Sequence, residues 1–433
     1  MSLETGIPSI RWIAEKAATD PNFVFYTIGH YIDEELLGVA FQQLSNNKAP
    51  GIDGETAAEY AKDLHANLRD LHERLTTKQY QASSIKRVWI DKEDGSQRPI
   101  GLLVVEDKIV QKAVAIWLEH VFESDFHDFS YGFRPSRNPH QALHAVRELI
   151  GALNIGWIVD VDVQQFFDTV DRDVFFELLH KRVKDGGLDR LLNEWFEAGV
   201  LDDEELSYSD KGTPQGGVVS PIIANIYRHV VLDEWFEQEV KSRLKGRSFL
   251  IRFADDAVLG FEHEEDARRV REVLLKRLEK YGLKAHPVKT RLVKFTRQAY
   301  GADKDRTNET FDFLGFTHYW AKSRWGNWVV KRRTIGKRRC RAICRFEKWC
   351  KDNRHLPVKE QWQKLSQKLS GYYQYFGIRG NYDSLYWVYY MLKEAWRRWL
   401  GRRCQKGYIS WKKFQKLLER FPLPVPRIVQ KWV

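Results

Sequence analysis

Two acidic strand ends constrain this chain more than any other feature. Trp157-Ile158-Val159-Asp160-Val161-Asp162-Val163 is a short β-branched run that ends in carboxylates. Further on, Leu250-Ile251-Arg252-Phe253 and Ala257-Val258-Leu259-Gly260-Phe261 flank Asp255-Asp256 as two arms flank a hairpin tip. Taken alone, each cluster is ordinary turn chemistry. Side by side, Asp162, Asp255 and Asp256 could hold two Mg²⁺ ions roughly 4 Å apart. Magnesium takes oxygen ligands and keeps positions open for substrate phosphates.

The rest of the chain alternates few strands with many helices, an α+β pattern. Helical periodicity is expected over 1–45, 55–78, 105–124, 173–183, 188–199 and 264–281. Pro and two Gly mark 47–54 as a loop, and a strand over Ile85–Ile90 leads into the polar turn Asp91–Ser96. From about residue 335 the chain reads as helical throughout, punctuated by Gly371, Gly377, Gly380 and the Pro422, Pro424, Pro426 series. No internal repeat or low-complexity linker is visible.

With 433 residues, two or three domains are expected, and a hydrophobic share of 43% suits a packed protein rather than a disordered one. No apolar run reaches the roughly 18 residues that cross a bilayer, and the N-terminus lacks the layout of a secretory signal. A cytoplasmic protein is expected. Cys340, Cys344, Cys350 and Cys404 form no C-x-x-C pair, so free thiols are expected rather than a zinc module. The net charge of +11 is unevenly spread: residues 331–433 hold 27 Lys/Arg against 6 Asp/Glu, a net of +21, and the remainder is net −10. That is the profile of a polyanion-binding module joined to a slightly acidic body.

The motifs around the acids are specific. Phe253-Ala254-Asp255-Asp256 resembles the [YF]-x-D-D box of reverse transcriptases, and Asp162-Val163-Gln164-Gln165-Phe166-Phe167-Asp168 the box that carries their first catalytic acid. More closely, the chain is similar to the reverse transcriptase/maturase proteins encoded by bacterial group II introns. Asn47–Gly54 resembles their A-P-G-x-D-G element, and Arg98–Gly101 with Glu106–Gln111 the first finger motif. Ser130-Tyr131-Gly132-Phe133-Arg134-Pro135 resembles the second motif, Gly212–Pro221 the fourth, and Tyr281–Thr290 and Phe311–Phe316 the sixth and seventh. Phe253 stands where many relatives have Tyr, and Leu102-Leu103 replaces a common Ile-Pro. The fourth motif is unlike that of diversity-generating retroelements, and the extra motifs of retron enzymes are not evident.

The resemblance implies a right-hand polymerase, with an N-terminal extension over 1–80, fingers and palm over 81–325, and a helical thumb/maturase domain over 326–433. It implies RNA-directed DNA synthesis by two-metal-ion nucleotidyl transfer, on an RNA template with a DNA primer and dNTPs. Asp162, Asp255, Asp256 and the Val163 carbonyl would hold the Mg²⁺ ions, with Mn²⁺ as a substitute. Asp160 would stand one step further out. Lys92, Arg98, Gln215 and Lys289 would contact the incoming dNTP, Arg gripping phosphate with two donors and Lys acting as a point charge. Phe167 would exclude a ribose 2′-hydroxyl.

Arg134 and Arg137 would hold template phosphates. Arg397, Arg398, Arg402 and Arg403, next to rings in the basic segment, would grip a template–primer duplex or group II intron RNA. The aromatics of that segment are read as core. A homodimer is a further expectation, and the N-terminal extension would either bridge subunits or grip template. No H-N-H endonuclease pattern is read, so the primer would come from a nick or a replication fork. Two other readings stand beside the intron-type enzyme: a free-standing relative in repair or phage defence, and a non-catalytic RNA-binding splicing cofactor.

Overall fold

The computed structural model describes residues 6–27, 29–44, 49–91, 97–164, 170–202, 205–207, 216–286, 290–297, 309–403 and 407–431. They fall into two compact units. The first comprises Met1–Asn138, Val159–Leu259 and Glu265–Arg291; the second comprises Pro139–Ile158, Gly260–Glu264 and Leu292–Val433.

The first unit is organised on the helix Val105–Phe122, which is rich in Val, Ile, Ala and Trp and buried along most of its length. A helix of that composition belongs inside a core. The helices Pro8–Thr19 and Glu34–Gln43 pack on it. Asp33 starts the second of these by accepting from the Leu36 N–H at 2.8 Å. A Thr56/Glu59 capping box opens Ala57–Tyr60, and Leu64–Thr76 follows.

Strands β1 (Ile85–Asp91) and β2 (Gln97–Leu102) form an antiparallel hairpin in which Val88 faces Ile100 and Trp89 faces Pro99. Pro99 is tolerated because β2 is an edge strand. β3 (Trp157–Gln164) belongs to another sheet, while β4 (Val200–Asp202) and β5 (Glu205–Ser207) complete the first in the order β2-β1-β4-β5. β6 (Ser248–Phe253), β7 (Asp256–Phe261) and β8 (Lys284–Ala285) join β3 in the order β6-β7-β3-β8, and β9 (Arg291–Lys294) also pairs with β3.

Between β5 and β6 the helix Ser220–Arg228 continues as a π-helical stretch, His229–Val240. Such stretches are rare and concentrate at functional sites.

The second unit contains a feature the sequence reading did not anticipate. Strands β10 (Phe311–Phe313), β11 (Phe316–Lys322) and β12 (Trp328–Thr334) form an antiparallel meander. Its signal was a period of two, with Phe316, His318 and Trp320 turned inward. His318 and Arg332 face each other across the ladder and both are buried.

Four helices follow: Gly336–Asp352, Val358–Phe376, Tyr382–Gly401 and Trp411–Arg420. They share a core that includes Leu365, Leu369, Tyr373, Leu392, Trp396 and Phe414. Trp396 donates to Gln361 Oε1 at 2.9 Å, so its buried indole N–H is satisfied. The proline-rich end carries no helix, and its Pro422 carbonyl accepts from Trp362 Nε1 at 2.8 Å. Among the described residues no helix is long and apolar enough to cross a membrane.

Candidate active site

The β6–β7 connection is two residues long. Ala254 adopts a left-handed conformation there, φ +52°, at a cost of about 1 kcal/mol for a residue with a Cβ. Asp255 and Asp256 follow it, and both are exposed. β7 lies next to β3, which carries Asp162 and Val163 near its end. Val161 and Val163 line the same apolar cavity as Ala254, Asp255 and Ala257, so the end of β3 stands beside the hairpin tip. The backbone at Asp162 is held from the other side: its carbonyl accepts from the His286 N–H at 2.7 Å, and Val163 pairs with Ala285.

Arg228 pairs with one of these acids. Its Nη2 lies 2.7 Å from Asp255 Oδ1. The guanidinium is buried against the apolar cavity, and its side chain is 4% exposed while that of Asp255 is 48% exposed. Burial pulls the Arg228 pKa below its ordinary value, and the Asp255 charge opposes that pull. Among the described residues no three His, Cys, Asp or Glu side chains are gathered closely enough to hold a metal ion. The oxygen donors suit magnesium in kind, but Asp255 is turned to Arg228.

Behind the hairpin sits a second cation. Arg252, on β6, is fully buried and bonds Asp233 through Nε at 2.9 Å and Nη2 at 2.6 Å. The same guanidinium reaches Asn225 Oδ1 at 3.0 Å and Ser130 Oγ at 2.7 Å. Its backbone exchanges bonds with Phe129 and Tyr131, and Asn225 Nδ2 donates to the Gly132 carbonyl at 2.8 Å. Gly132 itself lies against the tip: a Cβ there would meet the Ala254 nitrogen at 2.1 Å. The Ser130–Arg134 motif is therefore the brace of the acidic turn.

This corrects one expectation. Arg134 does not face solvent as a phosphate clamp would. Its side chain is 4% exposed, pairs with Glu123 at 2.9 Å, and donates to the His127 and Ser130 carbonyls. Arg137 is nearer the surface, pairing with Asp128 at 2.6 Å beside the Tyr131 ring.

The helix Val105–Phe122 supplies residues to which the sequence reading gave no separate role. Asp107 accepts from Tyr80 Oη at 2.6 Å and the Ser83 N–H at 3.0 Å. Burial pushes its pKa up to about 6, against the pull of those two bonds. Lys108 donates to the Ala49 carbonyl at 2.8 Å, and Gln111 Oε1 accepts from the Val218 N–H at 2.8 Å. One helix thus pins the chain before β1, the 49–54 loop and the turn after Gly216. That turn approaches β2 closely: Gly216 has φ +116°, and a Cβ on it would meet the Gly101 carbonyl at 2.6 Å. Asp107, Lys108 and Gln111 are buried although polar, and nothing in the sequence separates them from Glu106, Lys112 and Glu119 on the same helix.

Lys92, Phe167, Gln215 and Lys289 lie outside the described residues, as does Cys404. For Arg98 the backbone is described, in β2 opposite Ile90. In the second unit, Arg397 donates to the Ile409 carbonyl and sits over the Trp411 ring at 4.7 Å. Arg398 pairs with Glu347 at 2.7 Å and remains exposed. Arg402 is exposed over Trp399, and Arg403 donates to the Arg354 and Leu356 carbonyls. Cys340 and Cys344 are exposed and Cys350 buried, all as free thiols.

Residues 90–318, more than half of the chain, match the family described as reverse transcriptase (RNA-dependent DNA polymerase). The chain is 34% identical over 246 residues to Protein YkfC of Escherichia coli (strain K12), covering 55% of this chain and 63% of that protein. It is 31% identical over 222 residues to the group II intron-encoded protein LtrA of Lactococcus lactis subsp. cremoris, covering 50% of this chain and 36% of that protein. Over 83 residues it is 39% identical to the nuclear intron maturase 1, mitochondrial, of Arabidopsis thaliana, covering 19% of this chain and 11% of that protein. The matches thus span less than two thirds of these relatives' own lengths. The mixed helices and sheets agree with the family's right-hand polymerase fold, of α+β class. Matched over the segment that contains β3, the braced β6–β7 hairpin and the helix that anchors the surrounding loops, the chain belongs to the reverse transcriptase family.

Proposed function

We propose that this protein is an RNA-directed DNA polymerase of group II intron type. The observation that carries the reading is the placement of Asp162 on β3 beside a braced hairpin tipped by Asp255 and Asp256. The family works with divalent metal ions. In this reading Asp162, Asp255, Asp256 and the Val163 carbonyl hold two Mg²⁺ ions, which Mn²⁺ can replace. Bound there, the ions supply an activated primer hydroxyl and a stabilised leaving pyrophosphate. Asp255 leaves Arg228 to become a ligand. Lys92, Arg98, Gln215 and Lys289 are assigned the triphosphate of the dNTP, and Phe167 the exclusion of a 2′-hydroxyl. The N-terminal extension over 1–80 and the thumb/maturase segment over 326–433 flank the polymerase.

The partner of the basic segment is RNA. Its charge of +21 favours a polyanion, and the names of LtrA and the plant maturase connect those relatives to introns. We infer that intron RNA is bound to assist splicing as well as copied. Primer extension on an RNA template with dNTPs and Mg²⁺ tests the polymerase. Absence of extension by the wild type across a range of salt concentrations would refute it. Phe167→Ala is expected to admit ribonucleotides, and unchanged discrimination would remove the gate from the reading.

A further inference from the structure

The helix Tyr382–Gly401 has two apolar faces where one is enough. Its inner face supplies Leu385, Val388, Leu392 and Trp396 to the core of the second unit. On another face Tyr382, Tyr386 and Tyr390 repeat every four residues and stay exposed, at 48%, 53% and 43%. A repeat of four keeps side chains in line along a helix. Trp411, from the next helix, extends the row with 38% exposure.

The rings are arranged in near-parallel pairs. Tyr382 and Tyr386 have centroids 6.5 Å apart with planes inclined by 22°, and Tyr390 and Trp411 are 6.4 Å apart at 17°. Both separations are close to twice the rise of about 3.4 Å between stacked bases. Cations border the row: Lys393 lies over Tyr389 at 4.9 Å, and Arg397 over Trp411 at 4.7 Å. Lys412 and Lys413 are exposed at the start of the last helix.

Exposed aromatic rows of this kind mark binding surfaces rather than packing. Two occupants fit an aromatic face: a second protein surface or a run of unpaired bases. Charge separates them. A second copy would bring another segment of +21 against this one. Single-stranded nucleic acid brings phosphates to the cations and π-faces to the rings. A closed duplex presents no free base faces.

We infer that Tyr382, Tyr386, Tyr390 and Trp411 form a stacking platform for unpaired bases of single-stranded RNA. The inference rests on the reading of the chain as an RNA-templated enzyme and adds to it where, and in what state, an RNA strand is held. The contact is ring to base, so it carries little sequence preference.

The test uses the full chain, a labelled oligouridylate and a blunt RNA duplex of equal length, with binding read by fluorescence anisotropy across a salt series. Replacing Tyr382, Tyr386 and Tyr390 together with Ala is expected to weaken single-strand binding by about tenfold or more. The slope against salt should stay unchanged, because no phosphate contact is lost, and duplex binding should stay at the wild-type level. Tyr→Phe at the same positions is expected to keep single-strand binding, since the ring rather than the hydroxyl stacks. Wild-type binding by the Ala variant would overturn the platform and leave the polymerase reading standing. So would a wild-type dimer in sedimentation that the Ala variant loses, which would assign the row to a second copy. A wild-type chain that bound neither RNA would overturn both.

Discussion

Arg228 and Asp255 form an ion pair at 2.7 Å in which the cation is buried and the carboxylate half exposed. The guanidinium has lost water, and the carboxylate supplies its counter-charge. Asp255→Ala is expected to abolish primer extension while RNA binding persists. It should also lower stability by about 1–3 kcal/mol in urea denaturation, less than a fully buried pair would lose because Asp255 reaches solvent. Adding Arg228→Met should recover the stability and none of the extension. Extension by Asp255→Ala would remove the aspartate from the site.

The same pair predicts a metal effect. If Asp255 is a metal ligand as proposed, Arg228 would compete with the ion for its oxygen, so Arg228→Met should tighten Mn²⁺ binding severalfold in a titration followed by electron paramagnetic resonance. Unchanged or weaker binding would mean that Arg228 does not hold the acid back.

Gly132→Ala tests the brace. The new Cβ meets backbone at Ala254 rather than the end of a flexible side chain, so the hairpin must move. Overpacking of this kind costs about 1–3 kcal/mol, and a displaced Asp255-Asp256 turn should reduce extension by more than the stability loss explains. Asp233→Ala attacks the brace from behind, leaving Arg252 buried beside Ser130 and Asn225 without its counter-charge. A loss of about 3–5 kcal/mol is expected. Both are read from urea midpoints alongside primer extension at a temperature where the variants are folded.

Two buried histidines set an acid limit. Burial first, with Arg332 adding to it, takes His318 from an ordinary 6.5 to about 3. Burial, with His127 and Arg252 adding to it, takes His229 to about 3. A depressed folded-state value means the unfolded chain binds the proton first. Stability from these groups is fully present above about pH 6.5 and is lost as pH falls toward 3. At pH 5.5 each should cost about 1.4 kcal/mol relative to neutral pH. His318→Phe, stacked on Phe311 as the imidazole is at 4.6 Å, should flatten the decline measured by denaturation between pH 7 and 5. An unchanged slope would refute the assignment.

Local pattern settled much of this protein. β-branched runs bounded by turns placed β3 and the β6–β7 hairpin, apolar periodicity placed many helices but not those over 139–152 and 220–240, and uneven charge marked the C-terminal segment. All of these are short-range properties, readable because neighbours in sequence share one element. What only the tertiary structure decided is which charges meet. Arg134, four residues along from Ser130, has no sequence mark that separates a surface clamp from an inward brace; its burial against Glu123 settles it. The tyrosines at 382, 386 and 390 look like core residues by composition, and only the packing of Leu385, Val388 and Trp396 shows that the core lies on another side.

The two acidic strand ends were plain in the sequence. That a buried Arg228 holds one of those acids was not. Such a contact depends on where two distant segments are brought together in three dimensions, and no local propensity encodes that.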